Sequence, residues 1–271
     1  MKSINNYISE KLVINKDTKY PYRYFPETKE ELEDLIEQRI EKEGNECNLN
    51  DIDVSKITDM TDLFFNSKFN GDISQWDVSN VESMSNMFTL SEFNQDISEW
   101  NVGNVENMGS MFYLSKFDQD ISKWDVSKVE NMSYMFNTSK FNQNISKWNV
   151  SNVKNMQSMF EKSKFNKDIS NWDVSNVKYM NYMFAGSNFN QDISKWNISK
   201  VENMSSMFSN SKFNQDISSW NVSNVEDMRY MFSSSKFNQN ISKWKLSNNC
   251  ETYNIFINSQ LEGKEKEWWH K

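Results

Sequence analysis

Tryptophan recurs in this chain at a fixed interval of 24 residues, at Trp76, Trp100, Trp124, Trp148, Trp172, Trp196, Trp220 and Trp244. A period of this length, held without a slip, is typical of stacked supersecondary units and not of a globular enzyme domain. A unit of this size cannot bury its own apolar face, so neighbouring units must supply one another with a core. The spacing therefore predicts a repeat solenoid.

The other apolar positions keep the same period. One unit reads V-S-N-V-E-N-M-S-Y-M-F-x-x-S-K-F-N-Q-D-I-S-K-W-N. Rows of Met, Phe and Ile run from Met60 to Met228, from Phe69 to Phe237 and from Ile73 to Ile241. The sequence thus contains eight 24-residue repeats, from Val54 to Trp244, and a degenerate ninth after them.

Two shorter patterns lie inside each unit. Apolar residues alternate with polar ones around Trp76 and Val78, which predicts a short strand with one buried face. Val81, Met84 and Met87 are spaced by three, which favours a short helical or 3₁₀ turn. The fold class we expect is a parallel β coil with such turns, in which equivalent strands lie about 4.8 Å apart and indole lies over indole.

Polar rows keep the period as well. We interpret the serine row that begins at Ser67 as interior turn residues whose hydroxyls bond the backbone. The Asn row (Asn70, Asn94) and the Asp row (Asp72, Asp96) are expected to cap turns. A calcium role for the Asp row is the weaker alternative, because the glycine-rich nonapeptide of calcium-binding coils is missing.

The two ends differ from the repeats. Residues 27–44 predict one helix, with Thr28 and Glu31 as a capping box and Gly44 as its stop. We divide the chain into an extended N-terminal segment (1–26), an N-terminal capping helix (27–50), a solenoid (51–247) and a C-terminal cap (248–271). Trp268 and Trp269 are expected to seal the last coil, with an exposed patch for a partner as the alternative.

Chemistry-bearing motifs are missing from the sequence. The single histidine, His270, stands next to the C-terminus, and no zinc, Walker or dinucleotide motif is present. Acidic residues recur with the repeat, so we expect no enzyme activity, no cofactor and no metal. The formal net charge of −8 argues against nucleic acid as a partner.

The two cysteines and the hydropathy give further expectations. Cys47 and Cys250 flank the repeats, some 40 Å apart at the strand spacing, and are expected to be free thiols. No apolar run is long enough to span a membrane, and we see no signal peptide or lipid-anchor motif. Localisation therefore stays open between the cytoplasm and the cell exterior.

The repeat resembles that of bacterial BspA-like surface proteins, a variant of the leucine-rich repeat. The positions that carry the resemblance are Ile73, Trp76, Val78, Met84, Phe88 and Ser91, with their equivalents from Val54 to Trp244. The resemblance implies a curved parallel-β solenoid used for adhesion or protein binding, without enzyme activity. It also implies a secreted or surface-anchored protein.

Two surfaces are candidates for binding. If the strands line the concave side, two variable polar rows form its floor: Lys123, Lys147, Asn171 and Lys195 in one, and Asp125, Asn149, Asp173 and Asn197 in the other. Plain solubilising polarity is the alternative for these rows.

The second surface is an apolar patch made of Phe65, Leu90, Tyr113 and Leu114, at positions where later units carry Asn, Glu, Ala and Ser. Its alternative is packing under the N-terminal helix or under the tyrosine-rich stretch from Tyr20 to Phe25. Tyr134, Tyr182 and Tyr230 form a sparser row in alternate units.

The function that we expect is a protein-interaction or adhesion module whose partner is not identified. The alternatives are a structural protein that self-associates through its ends or edges, and a carbohydrate-binding surface protein. For the last, Tyr179 and Tyr182 are the only close aromatic pair in the middle of the chain.

Overall fold

The computed structural model describes residues 21–269. Helix α1 spans Lys29–Glu43 and helix α2 spans Lys264–Trp268. Within the described part of the chain the repeats contain no continuous strand, only isolated parallel bridges that link each repeat to the next, from Asp59↔Ser83 to Asp227↔Glu251. The repeats therefore pair in parallel and in register, but through single bridge residues.

The strand predicted around each tryptophan is wrong. At the end of the first repeat the amide of Trp76 donates to Ile73 O at 3.2 Å, and at the start of the second the amide of Val81 donates to Val78 O at 3.0 Å. Two tight turns thus flank Trp76 and Val78, and both side chains are buried as predicted. The alternation of burial arises from these turns and not from a pleated strand.

Hydrogen bonds between repeats are concentrated in what we call the ladder segment, residues 83–90 of the second repeat and the equivalent residues of the others. Its alternate amides donate to carbonyl oxygens 23 residues ahead in the next repeat, at about 2.9 Å, as in the pairs Met84–Asn107, Asn86–Gly109, Phe88–Met111 and Leu90–Tyr113. The intervening amides close four-residue turns, as the amide of Met87 does by donating to Met84 O. The predicted helical turn is thus a series of overlapping turns and not a helix.

Aromatic columns form the core. Phe88 and Phe112 stack with ring centroids 5.7 Å apart, and the Phe column continues in the same way through the repeats. Trp76 and Trp100 stack at 6.4 Å with an interplanar angle of 4°. The expected overlap of indole on indole is confirmed for this pair, although its spacing is wider than 4.8 Å.

Side chains supply many of the bonds between repeats on the tryptophan side. Trp100 Nε1 donates to Ile73 O at 3.1 Å, and Asn104 Nδ2 donates to Ser79 O at 2.7 Å. Asn70 Oδ1 accepts from the amide of Asn94 in the next repeat at 2.8 Å. The Asn row was predicted to cap local turns, but this bond links neighbouring repeats instead.

The Asp and Ser rows behave as predicted. Asp96 Oδ1 accepts from the amide of Ser98 at 2.9 Å, within a local turn. Ser91 is buried, and its Oγ accepts from the amide of Phe93 at 3.0 Å.

The spacing of the repeats grows from one side of the stack to the other. Equivalent rings lie 5.7 Å apart at Phe88 and 6.4 Å apart at Trp76, whereas backbones that pair in a parallel ladder generally lie about 4.8 Å apart. Because a stack with unequal spacing curves toward its shorter side, we infer that the ladder segments lie on the inner side of the stack.

Helix α1 begins and ends as predicted. Thr28 is its N-cap, and Thr28 Oγ1 accepts from the amide of Glu31 at 3.2 Å. The Glu31 carboxylate accepts in turn from the amide of Glu27 at 3.0 Å, one residue before the expected partner. Gly44 ends the helix with φ 88°. The buried residues Leu32, Leu35 and Ile36 join the core of the repeats.

A buried arginine forms ion pairs that connect α1 to the residues just before the first repeat. Arg39 is 5% exposed, and its guanidinium pairs with Glu43 and Asp51 at 2.9 Å each. It also lies 5.2 Å from the ring centroid of Tyr24, whose backbone bridges to Ile52. The division of the chain into four parts stays a prediction, and most of its first segment lies outside the described residues.

The C-terminal end continues the aromatic column. Trp269 stacks on Trp244 at 6.5 Å with an interplanar angle of 6°, and Trp268 meets Phe256 edge to face at 5.9 Å. Both tryptophans pack against the last repeat, as the sequence predicts. Cys47 and Cys250 are free thiols, also as predicted.

Candidate binding surface

The exposed large apolar side chains fall in one part of the repeat. Among the described residues seven such side chains are exposed, with exposed fractions of 39–66%. All of them belong to ladder segments: Phe65, Leu90, Leu114, Tyr179, Tyr182, Tyr230 and Tyr253. We call the solvent side of these segments the ladder face. Among the described residues, the exposed large apolar side chains are therefore confined to the ladder face.

The predicted apolar patch lies at the N-terminal end of the ladder face. Phe65, Leu90 and Leu114 are 50%, 42% and 39% exposed, so no described residue covers them as the alternative required. Tyr113 is half-buried and meets Tyr134 edge to face at 6.4 Å. The amide of Leu90 donates to Tyr113 O at 2.8 Å, which joins the two repeats that carry the patch.

A second group of aromatic residues continues along the ladder face. One position of the segment alternates between serine and tyrosine through six consecutive repeats: Ser110, Tyr134, Ser158, Tyr182, Ser206 and Tyr230. We call Tyr134, Tyr182 and Tyr230 the tyrosine row. The sequence contains this row, but its place on the inner side follows only from the hydrogen-bonding pattern.

The two polar rows lie elsewhere. Lys123 is exposed and pairs with Glu99 of the preceding repeat. Lys147 lines a groove of about 230 Å³ with Asn144 and Asp120, and Asn171 and Lys195 are exposed. All four precede a tryptophan, on the wider-spaced side of the stack. Their place on a concave face and their role in binding stay predictions.

The second polar row serves local turns. Its side-chain oxygens each accept from the amide of a serine two residues ahead, in the pairs Asp125–Ser127, Asn149–Ser151, Asp173–Ser175 and Asn197–Ser199. The serine hydroxyl and amide hold the pKa of Asp125 and of Asp173 below the ordinary aspartate value. These bonds account for the residue types without a ligand.

A polar groove of about 570 Å³ crosses the first repeats beside Glu82 and Glu106. Its amide and ammonium groups bond across repeats: Lys128 Nζ donates to Asn104 Oδ1 at 2.6 Å. The sequence analysis did not single out this groove. Its lining groups link neighbouring repeats, so it offers no separate chemistry.

Residues 21–269 contain no group of three or more His, Cys, Asp or Glu side chains placed to hold a metal ion. His270 lies outside the described residues, so the structure does not place it. None of the described helices is long and apolar enough to cross a bilayer. The expectation of no enzyme activity stays a prediction.

Comparison with known proteins gives a family. The family described as "Mycoplasma protein of unknown function, DUF285" matches residues 32–140, 114–211 and 165–269, which together span the repeats. No curated protein and no solved structure matches the chain significantly. The three overlapping matches agree with a repeat protein, and the chain belongs to this family of Mycoplasma proteins of unknown function.

Proposed function

We propose that the protein is a non-enzymatic binding module, built as a curved solenoid of leucine-rich-repeat type, that binds a protein partner on its ladder face. The parallel bridges between repeats and the continuous Phe column support the solenoid. The resemblance to BspA-like surface repeats supports adhesion or protein binding at the cell surface as its setting.

One observation carries the proposal: every exposed large apolar side chain among the described residues lies on the ladder face. Single exposed apolar residues are ordinary, but a contiguous exposed apolar surface marks an interaction site. Solenoids use their concave surface in the same way, because it surrounds a ligand with many repeats.

The chemistry of the ladder face suits a protein better than an ion or a small molecule. Leucine and phenylalanine at its N-terminal end offer desolvation, and tyrosines further along offer a ring and a hydroxyl together. Tyrosine-rich surfaces bind protein partners with little loss of side-chain entropy.

The test is affinity capture with matched variants. The immobilised protein is compared with a Leu90→Ser and Leu114→Ser double variant. Serine occupies the equivalent backbone position at Ser234, with φ 54°, so both changes are compatible with the fold. A Lys123→Ser and Lys147→Ser double variant on the tryptophan side is the control.

We expect the same proteins to be captured by the wild type and by the lysine control, and to be lost from the leucine variant. Loss from the lysine variant alone would instead place binding on the polar rows. Capture that is equal for all three proteins would remove the ladder face as the binding surface. Circular dichroism of each variant confirms that it is folded.

Self-association through the ends is the second candidate. The ladder amides of Thr252, Asn254 and Phe256 make no backbone hydrogen bond to another described residue. Such a row of free donors resembles the edge of a sheet, which is a template for pairing. Light scattering that gave an open-ended, concentration-dependent series of masses would favour this candidate over a monomeric binding module.

A further inference from the structure

The tyrosine row has a longer period than the repeat. Tyr134, Tyr182 and Tyr230 are two repeats apart, which is about 10 Å at the spacing of a parallel backbone ladder. The repeats between them carry Ser158 and Ser206 at the same position. Bulky and small side chains therefore alternate at this position of the ladder segment.

The rings lean along the stack over these serines. Tyr134 Oη accepts from Gln157 Nε2 at 2.7 Å, so the ring of Tyr134 reaches into the next repeat. Ser158 and Ser206 each lie between two tyrosines and are only 1% and 5% exposed, whereas Ser110, with a tyrosine on one side, is half-buried. The row thus forms a strip of aromatic rings that ends in hydroxyl groups.

Tyr182 and Tyr230 are 42% and 39% exposed, so their rings are available to a ligand. Asn181, next to Tyr182, is half-buried and adds an amide at the side of the strip. A ligand that follows the strip must present an apolar surface about every 10 Å, with hydrogen-bond acceptors or donors between.

We propose that the tyrosine row binds a proline-rich segment of a protein partner, in the polyproline II conformation and aligned with the axis of the stack. This inference rests on the proposed function, because it names the kind of protein that the ladder face takes. A polyproline II helix has three residues per turn and rises 3.1 Å per residue, so one turn advances about 9 Å. Every third residue of such a segment meets a tyrosine.

The chemistry of the two surfaces is complementary. A polyproline II helix makes no internal hydrogen bonds, so its carbonyl oxygens are free to accept from tyrosine hydroxyls. Its proline rings pack on aromatic side chains, as in other aromatic-lined grooves that bind this conformation. An extended β peptide fits less well, because its side chains on one face repeat about every 7 Å.

Calorimetric titration with synthetic peptides tests the inference. The probes are a decaproline peptide, a Gly-Ser peptide of equal length, and cello-oligosaccharide as a representative of flat sugar chains. The proteins are the wild type, the variant Tyr182→Ser, and the exchange variant that combines Tyr182→Ser with Ser206→Tyr. The exchange variant keeps the composition and moves one ring by one repeat. Ser206 and Tyr182 share the same backbone conformation, with φ 56° and 59°, so the exchange is compatible with the fold.

We expect the wild type to bind decaproline and not the Gly-Ser peptide, and both variants to bind it at least about tenfold more weakly, a loss of about 1.4 kcal/mol. If the wild type and the exchange variant bound decaproline equally well, the match between the tyrosine spacing and the turn of the polyproline II helix would be wrong, and the inference with it. Binding of the sugar but not of decaproline would also overturn the inference, in favour of a carbohydrate ligand.

The capture experiment on Leu90 and Leu114 separates the two proposals. If decaproline does not bind but a protein is still captured in a leucine-dependent way, the polyproline inference is wrong and the proposed function stands. If neither probe binds and no leucine-dependent capture occurs, both proposals are wrong.

Discussion

Trp148 Nε1 donates a 3.1 Å hydrogen bond to the carbonyl oxygen of Ile121 in the preceding repeat. The same bond links each repeated tryptophan to the residue 27 positions before it, from Trp76 and Leu49 to Trp244 and Ile217. The indole ring therefore fills the core and also donates to a buried carbonyl oxygen. Phenylalanine would fill the core but could not donate this bond, which explains why this position repeats as tryptophan.

We expect Trp148→Phe to lower the free energy of unfolding by about 0.5–1.5 kcal/mol, because Ile121 O would lose the bond from the indole and keep only the one from the amide of Trp124. Urea unfolding followed by far-ultraviolet circular dichroism measures the change. The control is Trp269→Phe, because Trp269 stacks on Trp244 but its Nε1 has no hydrogen-bond partner among residues 21–269. A loss at Trp269 as large as that at Trp148 would show that ring volume, and not the hydrogen bond, explains the tryptophan.

Left-handed backbone is imposed on side chains that do not favour it. Thr138 has φ 53° and is β-branched, whereas Asn210 and Gly186 occupy the same position of their repeats with φ 55° and 64°. L-residues other than Gly and Asn are disfavoured in this region by about 1–2 kcal/mol. We expect Thr138→Asn to raise the free energy of unfolding by about 0.5–1 kcal/mol.

The reverse change tests the same cause. A Cβ atom at Gly186 would lie 3.2 Å from Lys162 Cγ and would meet the same backbone strain. We expect Gly186→Val to lower the melting temperature and Thr138→Asn to raise it in thermal denaturation. A higher melting temperature for Gly186→Val would contradict the assignment of strain to this position.

The Asp row adds a pH-dependent contribution to stability. The pKa of Asp120 is lowered because the amide of Ser122, and then its hydroxyl, donate to the carboxylate. A carboxyl with a depressed folded-state pKa stabilises the fold above its unfolded pKa, near 3.9, and this contribution is lost as the pH falls through the folded value. Asn144 makes the same bond to Ser146 at 3.0 Å without a titrating group.

We therefore expect a variant with Asp120, Asp168, Asp192 and Asp216 changed to Asn to keep its turns and to lose less stability than the wild type on acidification. The pKa of each of these carboxyls is lowered by the amide and hydroxyl of the serine two residues ahead. Chemical unfolding at neutral pH and again below the aspartate pKa measures the difference. The same loss on acidification in both proteins would show that the row does not control acid stability.

The core was predictable from the sequence because the burial of Trp, Phe, Met and Ile sets the 24-residue period. The secondary structure was not, since the alternation at Trp76 and Val78 is the signature of a strand and here arises from two tight turns. The ladder segment places Leu90 and Tyr134 at φ 58°, which intrinsic preferences disfavour and only the bonds between repeats enforce.

The candidate binding surface could also be predicted only in part from the sequence. The apolar patch could be predicted, because Phe65, Leu90 and Leu114 are apolar at two positions that are mostly polar in the other repeats. The inner side could not, since it depends on which segment pairs backbone to backbone and which pairs through side chains. The alternating sequence pattern predicted backbone pairing between repeats at Lys123 and Asp125. The backbones of neighbouring repeats pair instead in the ladder segment, which carries the tyrosine row.

The cysteines give a prediction about reactivity. Cys47 is buried and Cys250 is half-buried, and burial raises the pKa of both thiols, that of Cys250 to about 11. Thiolate is the reactive form, so both residues hold little of it at neutral pH.

We expect a thiol reagent to detect two thiols in the denatured, unreduced protein and to react far more slowly with the native protein. The single variants Cys47→Ser and Cys250→Ser assign the native rates. The rate of Cys250 is expected to rise with pH toward its pKa. Fewer than two thiols after denaturation would contradict the free cysteines, and a native rate equal to the denatured one would contradict their burial.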